Sequence, residues 1–92
     1  MRNELFEEAK SLAREVEQNP EEVLQDALDV RLVITPQGEL VDFEVYTTLG
    51  GPTVWVDAEG VYASWAGEKV FYRCDTSRLW NLLKEINPCQ KC

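Results

Sequence analysis

Histidine is absent from this 92-residue sequence. Its absence removes the side chain that most often serves as a general base near neutral pH and as a nitrogen ligand to zinc. Cations are scarce as well: nine Lys and Arg stand against seventeen Asp and Glu, a formal net charge of −8. Phosphate backbones are bound largely through Lys and Arg that displace counterions, so neither direct nucleic-acid contact nor attachment to an anionic membrane is expected. No apolar run approaches the roughly 20 residues of a membrane span. The opening Met1-Arg2-Asn3-Glu4 leads into an amphipathic pattern, not the apolar core of a secretory signal, so the expected location is the cytoplasm. Cysteine numbers three. An odd count leaves any disulfide framework incomplete, in agreement with a reducing compartment.

What the chain does have is alternation. From Leu40 to Tyr72, apolar and polar residues exchange places in short runs rich in Val, Thr, Tyr, Phe and Trp, the pattern of strands buried on one face. Four strands are expected here: Leu40 to Thr48, Thr53 to Asp57, Val61 to Ala66 and Val70 to Cys74. Their connections are Leu49-Gly50-Gly51-Pro52, Asp57-Ala58-Glu59-Gly60 and Ala66-Gly67-Glu68-Lys69. In the second, Gly60 suits the left-handed position of a type I turn. A preceding strand, Val30 to Thr35, joins through Thr35-Pro36-Gln37-Gly38. Short turns in succession imply an antiparallel meander of about five strands.

Helical spacing flanks the meander. Leu5, Phe6, Ala9, Leu12, Ala13 and Val16 form one stripe between Asn3 and Gln18. Asn19 as N-cap with Pro20 behind it opens a second helix to about Leu28, its apolar positions Val23, Leu24, Ala27 and Leu28. A closing helix, capped by Asp75 or Ser77, carries Leu79, Trp80, Leu82, Leu83 and Ile86 and stops at Asn87-Pro88. Cys89-Gln90-Lys91-Cys92 reads as a mobile tail. The chain is therefore expected to be one α+β domain over 1–88, ordered α-α-β-β-β-β-β-α, with the helices on one face of the sheet. Nine acids against three bases up to Asp29 put most of the negative charge on the helical layer.

The pleat then sorts side chains. With Val41, Phe43, Val45, Val54, Val56, Val61, Ala63 and Trp65 turned toward the helices, Asp42, Glu44, Tyr46, Trp55, Asp57 and Tyr62 share the opposite face. Trp65 and Trp80 belong to the core on this reading. Aromatic rings set among carboxylates suit a partner rich in arginine, whose guanidinium stacks on rings and pairs with acids. The alternative is that these rings pack across strands against one another. Asp42, Glu44 and Asp57 are also the residues for a divalent-metal or hydrolytic reading, with Asp42 and Glu44 as the acid pair, although magnesium sites usually add a substrate phosphate.

Cys89 and Cys92, spaced C-x-x-C, are half of a tetrahedral zinc site, completed by Cys74 or by a second chain. A redox role is disfavoured, because reactive pairs sit at helix N-termini and this one follows a helix end. Gly50-Gly51-Pro52 is no phosphate cradle, since no Lys-Ser/Thr follows and a strand comes next.

The run Gly50-Gly51-Pro52-Thr53-Val54-Trp55-Val56-Asp57, with Gly60-Val61-Tyr62 and Trp65-Ala66-Gly67, resembles small uncharacterised proteins encoded by phages and prophages over about the middle third of the chain. The resemblance implies a shared sheet scaffold and an accessory role in a mobile element, without an activity or site residues. The combined expectation is a non-enzymatic interaction protein, without a resident cofactor, that docks on a basic protein surface in the manner of an anti-CRISPR or anti-restriction inhibitor. A zinc- or disulfide-linked homodimer through Cys89 and Cys92 is the second expectation, and a metal site at the outward carboxylates the third.

Overall fold

The computed structural model describes residues 2–86, with side chains for 4–85. In chain order the elements are α1 (Arg2–Gln18), α2 (Pro20–Gln25), β1 (Asp29–Ile34), β2 (Leu40–Thr48), β3 (Thr53–Asp57), β4 (Gly60–Trp65), β5 (Glu68–Arg73) and α3 (Ser77–Ile86). The strands form one antiparallel sheet in the order β1-β2-β3-β4-β5. The fold is α+β. The expected tail at Cys89 and Cys92 lies outside the described residues.

Helix α1 forms because Leu5, Ala9, Leu12, Ala13 and Val16 recur on one stripe, and all five are buried. The stripe lies over β4 and β5, with Glu4, Glu7, Glu8, Glu15 and Glu17 left exposed. Its final carbonyls are satisfied from a distance. The Arg78 guanidinium donates to the carbonyls of Glu17 (2.9 Å) and Gln18 (3.4 Å), while the Glu17 carboxylate accepts the Asp75 N–H at 2.8 Å. A cation at a helix C-terminus also meets the negative end of the dipole.

Helix α2 is shorter than its apolar pattern implies, ending at Gln25 instead of near Leu28. The Leu28 N–H bonds to the Tyr46 carbonyl at 2.7 Å, which draws the chain into the sheet and leaves the Leu28 side chain 61% exposed. Asn19 occupies the N-cap, but its side chain makes no capping bond; its carbonyl takes the Glu22 and Val23 amides. At α3, Asp75 and not Ser77 does the capping. Its carboxylate accepts both the Ser77 N–H (3.0 Å) and hydroxyl (2.6 Å), which holds it below the usual carboxylate range. Thr76 is buried, and its hydroxyl donates to the Ala58 carbonyl at 2.9 Å, fixing the helix start to the β3–β4 turn.

Two registers of side chains cross the sheet. Toward the helices run Val30, Val45, Val56, Val61 and Tyr72 in one row, and Val54, Ala63 and Val70 in another. Phe43, Val45, Val56 and Val61 are fully buried with Leu79 and Leu83 of α3. Pairing shifts between Val33 and Ile34, where Leu40 replaces Val41 as partner, and between Tyr46 and Thr48. The first shift corrects the inward placement of Val41: it is the extra residue of a bulge and is 49% exposed, while Leu40 fills the core. Trp65 also departs from the core reading. It follows the inward parity of Val61 and Ala63 but sits at the strand end, 42% exposed, whereas Trp80 packs against Phe43 at 5.7 Å.

Gly60 corrects a turn assignment. Its φ is not positive; the left-handed glycines are Gly38, Gly50, Gly51 and Gly67. Gly60 is instead the first residue of β4, where a Cβ would lie 2.6 Å from the Tyr72 carbonyl oxygen and 2.9 Å from the Phe71 ring. The β4–β5 loop is the two-residue Ala66-Gly67, both at positive φ as in a type I′ turn, so β5 starts at Glu68, two residues before the expected Val70.

Because backbone, and not a flexible side chain, opposes that Cβ, Gly60→Ala is expected to cost about 1–3 kcal/mol through overpacking. Urea unfolding checks it, with a midpoint shift at unchanged slope as the expected result.

Candidate interaction face

The face away from the helices is built on one row of rings. Register places Asp29, Tyr46, Trp55, Tyr62 and Phe71 side by side across all five strands. Tyr46 stacks on Trp55 at 5.7 Å with 26° between planes, Trp55 on Tyr62 at 5.2 Å and 12°, and Tyr62 meets Phe71 at 4.8 Å. Each such pair contributes about 0.5–1.5 kcal/mol beyond the area it buries. The rings are half-buried by one another, with Phe71 37% exposed. The outward reading and the cross-strand packing reading therefore hold together.

The ladder carries its own cations. The Arg31 guanidinium lies 5.3 Å from the Tyr46 ring centre, and the Lys69 ammonium 5.6 Å from Trp55 and 5.0 Å from Tyr62. Arg31 also pairs with Asp29 at 3.0 Å, the main reason its pKa is raised further. Loss of solvent around the phenols raises the pKa of Tyr46 and Tyr62, helped by Glu44 beside the first and Asp57 beside the second.

Asp42, Glu44 and Asp57 share this face, but two of them serve the backbone. Asp42 accepts the Phe43 N–H at 2.8 Å and the Ala58 N–H at 3.4 Å; Asp57 accepts the Glu59 and Gly60 amides at 2.8 and 3.2 Å. Both brace the β3–β4 turn. Glu44, paired in register with Asp57 and Arg31, contacts the Tyr46 hydroxyl at 3.4 Å. Among the described residues no group of three or more Cys, Asp or Glu is arranged to hold a metal ion. Two grooves on the helical side, lined by Glu4, Glu7, Glu8 and Ser11 and by Glu4, Leu5, Glu8, Pro52 and Trp65, include none of these acids.

Sequence reasoning missed Phe71, Arg31 and Lys69. The signal for Phe71 was its place two residues from Lys69 in an alternating strand, obscured by starting β5 at Val70. The two cations needed the strand pairing, since 15 and 14 positions separate Arg31 and Lys69 from the rings they meet at Tyr46 and Trp55.

Cys74, the third thiol of the zinc reading, is half-buried at the end of β5. Burial, with Glu17 and Asp75 nearby, pushes its pKa up to about 11. Because the folded value exceeds the ordinary thiol value of 9.0, its contribution to stability is complete below that value and is lost as pH rises through about 11. In the Cys89→Ser/Cys92→Ser variant, thiol modification of Cys74 is expected to be slow at neutral pH, with a rate midpoint near 11. A midpoint at the ordinary value contradicts the burial. A double-mutant cycle of Lys69→Met and Trp55→Leu is expected to give a coupling of about 0.5–1 kcal/mol that salt reduces.

Among the described residues no helix is long and apolar enough to cross a membrane. No family model, curated protein or solved structure matches the chain.

Proposed function

We propose that this protein is a non-enzymatic interaction module that docks its outer sheet face on a basic protein surface in the cytoplasm. The observation that carries this reading is the four-ring row Tyr46, Trp55, Tyr62 and Phe71, bordered by Glu44, Asp42 and Asp57 on a face that the helices leave uncovered. Arg31 and Lys69 already occupy the ring faces, so a partner enters by exchange. An exposed cation–π contact is worth only about 0.5–1 kcal/mol, and an arginine that stacks on a ring while pairing with a carboxylate replaces the Lys69 ammonium at a net gain. At the Tyr46 end of the row, Glu44 is the carboxylate that offers such a pairing, since Asp42 and Asp57 are engaged with backbone amides. The net charge of −8 favours encounter with a basic partner from a distance.

The resemblance of the Gly50 to Asp57 run to phage and prophage proteins supports one class of partner, a nucleic-acid-handling host complex whose basic groove this protein occupies as an inhibitor. The test is capture from host lysate by the immobilised chain at low and high salt, with mass-spectrometric identification. The expected outcome is retention of basic nucleic-acid-binding proteins, released at high salt and reduced at least tenfold, about 1.4 kcal/mol, by Trp55→Ala or Glu44→Gln. Retention indifferent to salt and to both substitutions, or no retention, sinks the reading.

A further inference from the structure

We propose that β1 is a pairing edge through which two copies of this chain join their sheets, antiparallel, about a two-fold axis at Val30. The inference concerns the free edge of β1, which shares Asp29 and Arg31 with the border of the ring face, and it does not depend on the docking proposed for that face. Its first observation is an unfinished row. Val45, Val56 and Val61 are each 0% exposed, yet Val30, the next member of the same row on β1, is 37% exposed. Apolar exposure gathers at this edge: Leu28 is 61% exposed, Val33 52%, and Val41 in the neighbouring bulge 49%.

The second observation is the contrast between the two edges of the sheet. Native proteins guard edge strands with charges, proline or a covering element. β5 carries Glu68, Lys69 and Arg73 and lies under α1. β1 has β2 as its one strand neighbour among the described residues; it contains no proline and no lysine, and its two charges, Asp29 and Arg31, lie on the outer side and are of opposite sign.

The third observation selects the occupant, because β1 is complementary to itself. Antiparallel pairing centred on Val30 sets Val30 opposite Val30 of the second copy on the helix-facing side and brings the exposed Leu28, just before the strand, toward its Leu32. On the outer side, Asp29 then meets Arg31 of the second copy and Arg31 meets its Asp29. Both charges now belong to an intrachain pair at 3.0 Å, which this geometry exchanges for two pairs across the axis, with each end of the edge repeating the other as a two-fold interface requires. The ring rows of the two copies become coplanar. A shift of the axis by one residue to Arg31 sets the two Arg31 side chains opposite each other, so charge fixes the register.

Sedimentation of the full chain with reductant and chelator, which remove any link through Cys89 and Cys92, tests the proposal. The expected result is a concentration-dependent dimer. Asp29→Arg and Arg31→Asp, both on solvent-facing positions, are each expected to weaken it at least tenfold while circular dichroism stays unchanged. Mixing the two variants, one edge doubly cationic and the other doubly anionic, restores a 1:1 dimer. A chain that is monomeric at every concentration, as when another occupant takes the edge, overturns the proposal. So does a dimer that neither substitution weakens, or a mixture that stays monomeric.

Discussion

One constraint governs the molecule: the two-residue period of the pleat held in register from β1 to β5. It gathers Val45, Val56 and Val61 into one row beneath the helices and Tyr46, Trp55, Tyr62 and Phe71 into the next row on the opposite side. Full burial of each valine is worth roughly 1.5–3 kcal/mol, and each ring pair adds a smaller increment. A slip of one residue between any two strands exchanges valines for rings, losing both contributions together. The register is thus specified from both faces at once, and the two bulges fall near the ends of β2, outside the central rows.

The two layers are fastened mainly at one end. Glu17, Asp75, Arg78 and Thr76 link the end of α1, the start of α3 and the β3–β4 turn through four hydrogen bonds. That same turn is braced from the outer face by Asp42 and Asp57. Acids read from sequence as a potential site are therefore partly structural, while Glu44 and the rings remain outward-facing chemistry. Charge is segregated as well. Glu4, Glu7, Glu8, Glu15, Glu17, Glu21, Glu22 and Asp26 are exposed on α1 and α2 or at the end of α2, whereas the outer sheet face mixes Asp29, Asp42, Glu44 and Asp57 with Arg31, Lys69 and Arg73. The helical layer is strongly acidic, whereas the outer sheet face is nearly balanced in charge.

The legibility of these features followed their range along the chain. Strand β2 and strand β3 were read with their observed boundaries, because alternation and Gly or Pro punctuation are local signals. The outward set Tyr46, Trp55 and Tyr62 followed from parity alone. Val41 defeated parity because a bulge is set by the pairing of two strands, and Trp65 because at the last position of β4 it borders an open groove with Glu4, Leu5, Glu8 and Pro52. Gly60 looked like a turn glycine for a local reason, while its actual constraint is the backbone of Tyr72 on a neighbouring strand. The end of α2 was misplaced because the amide that terminates it bonds to Tyr46, 18 residues away.

By itself, then, the amino-acid order determined the α+β class, the element order and the side of the sheet on which each central residue lies, since these depend on periodicities of two and 3.6 residues that need no partner to be seen. Only the tertiary structure decided that the rings form a continuous stacked row, that Arg31 and Lys69 cover them, that Asp42 and Asp57 are bound to backbone amides, and that Val30 ends its row uncovered. Each of those depends on which strands are neighbours and in what register. Pairing is a relation between distant segments, and no single segment carries it.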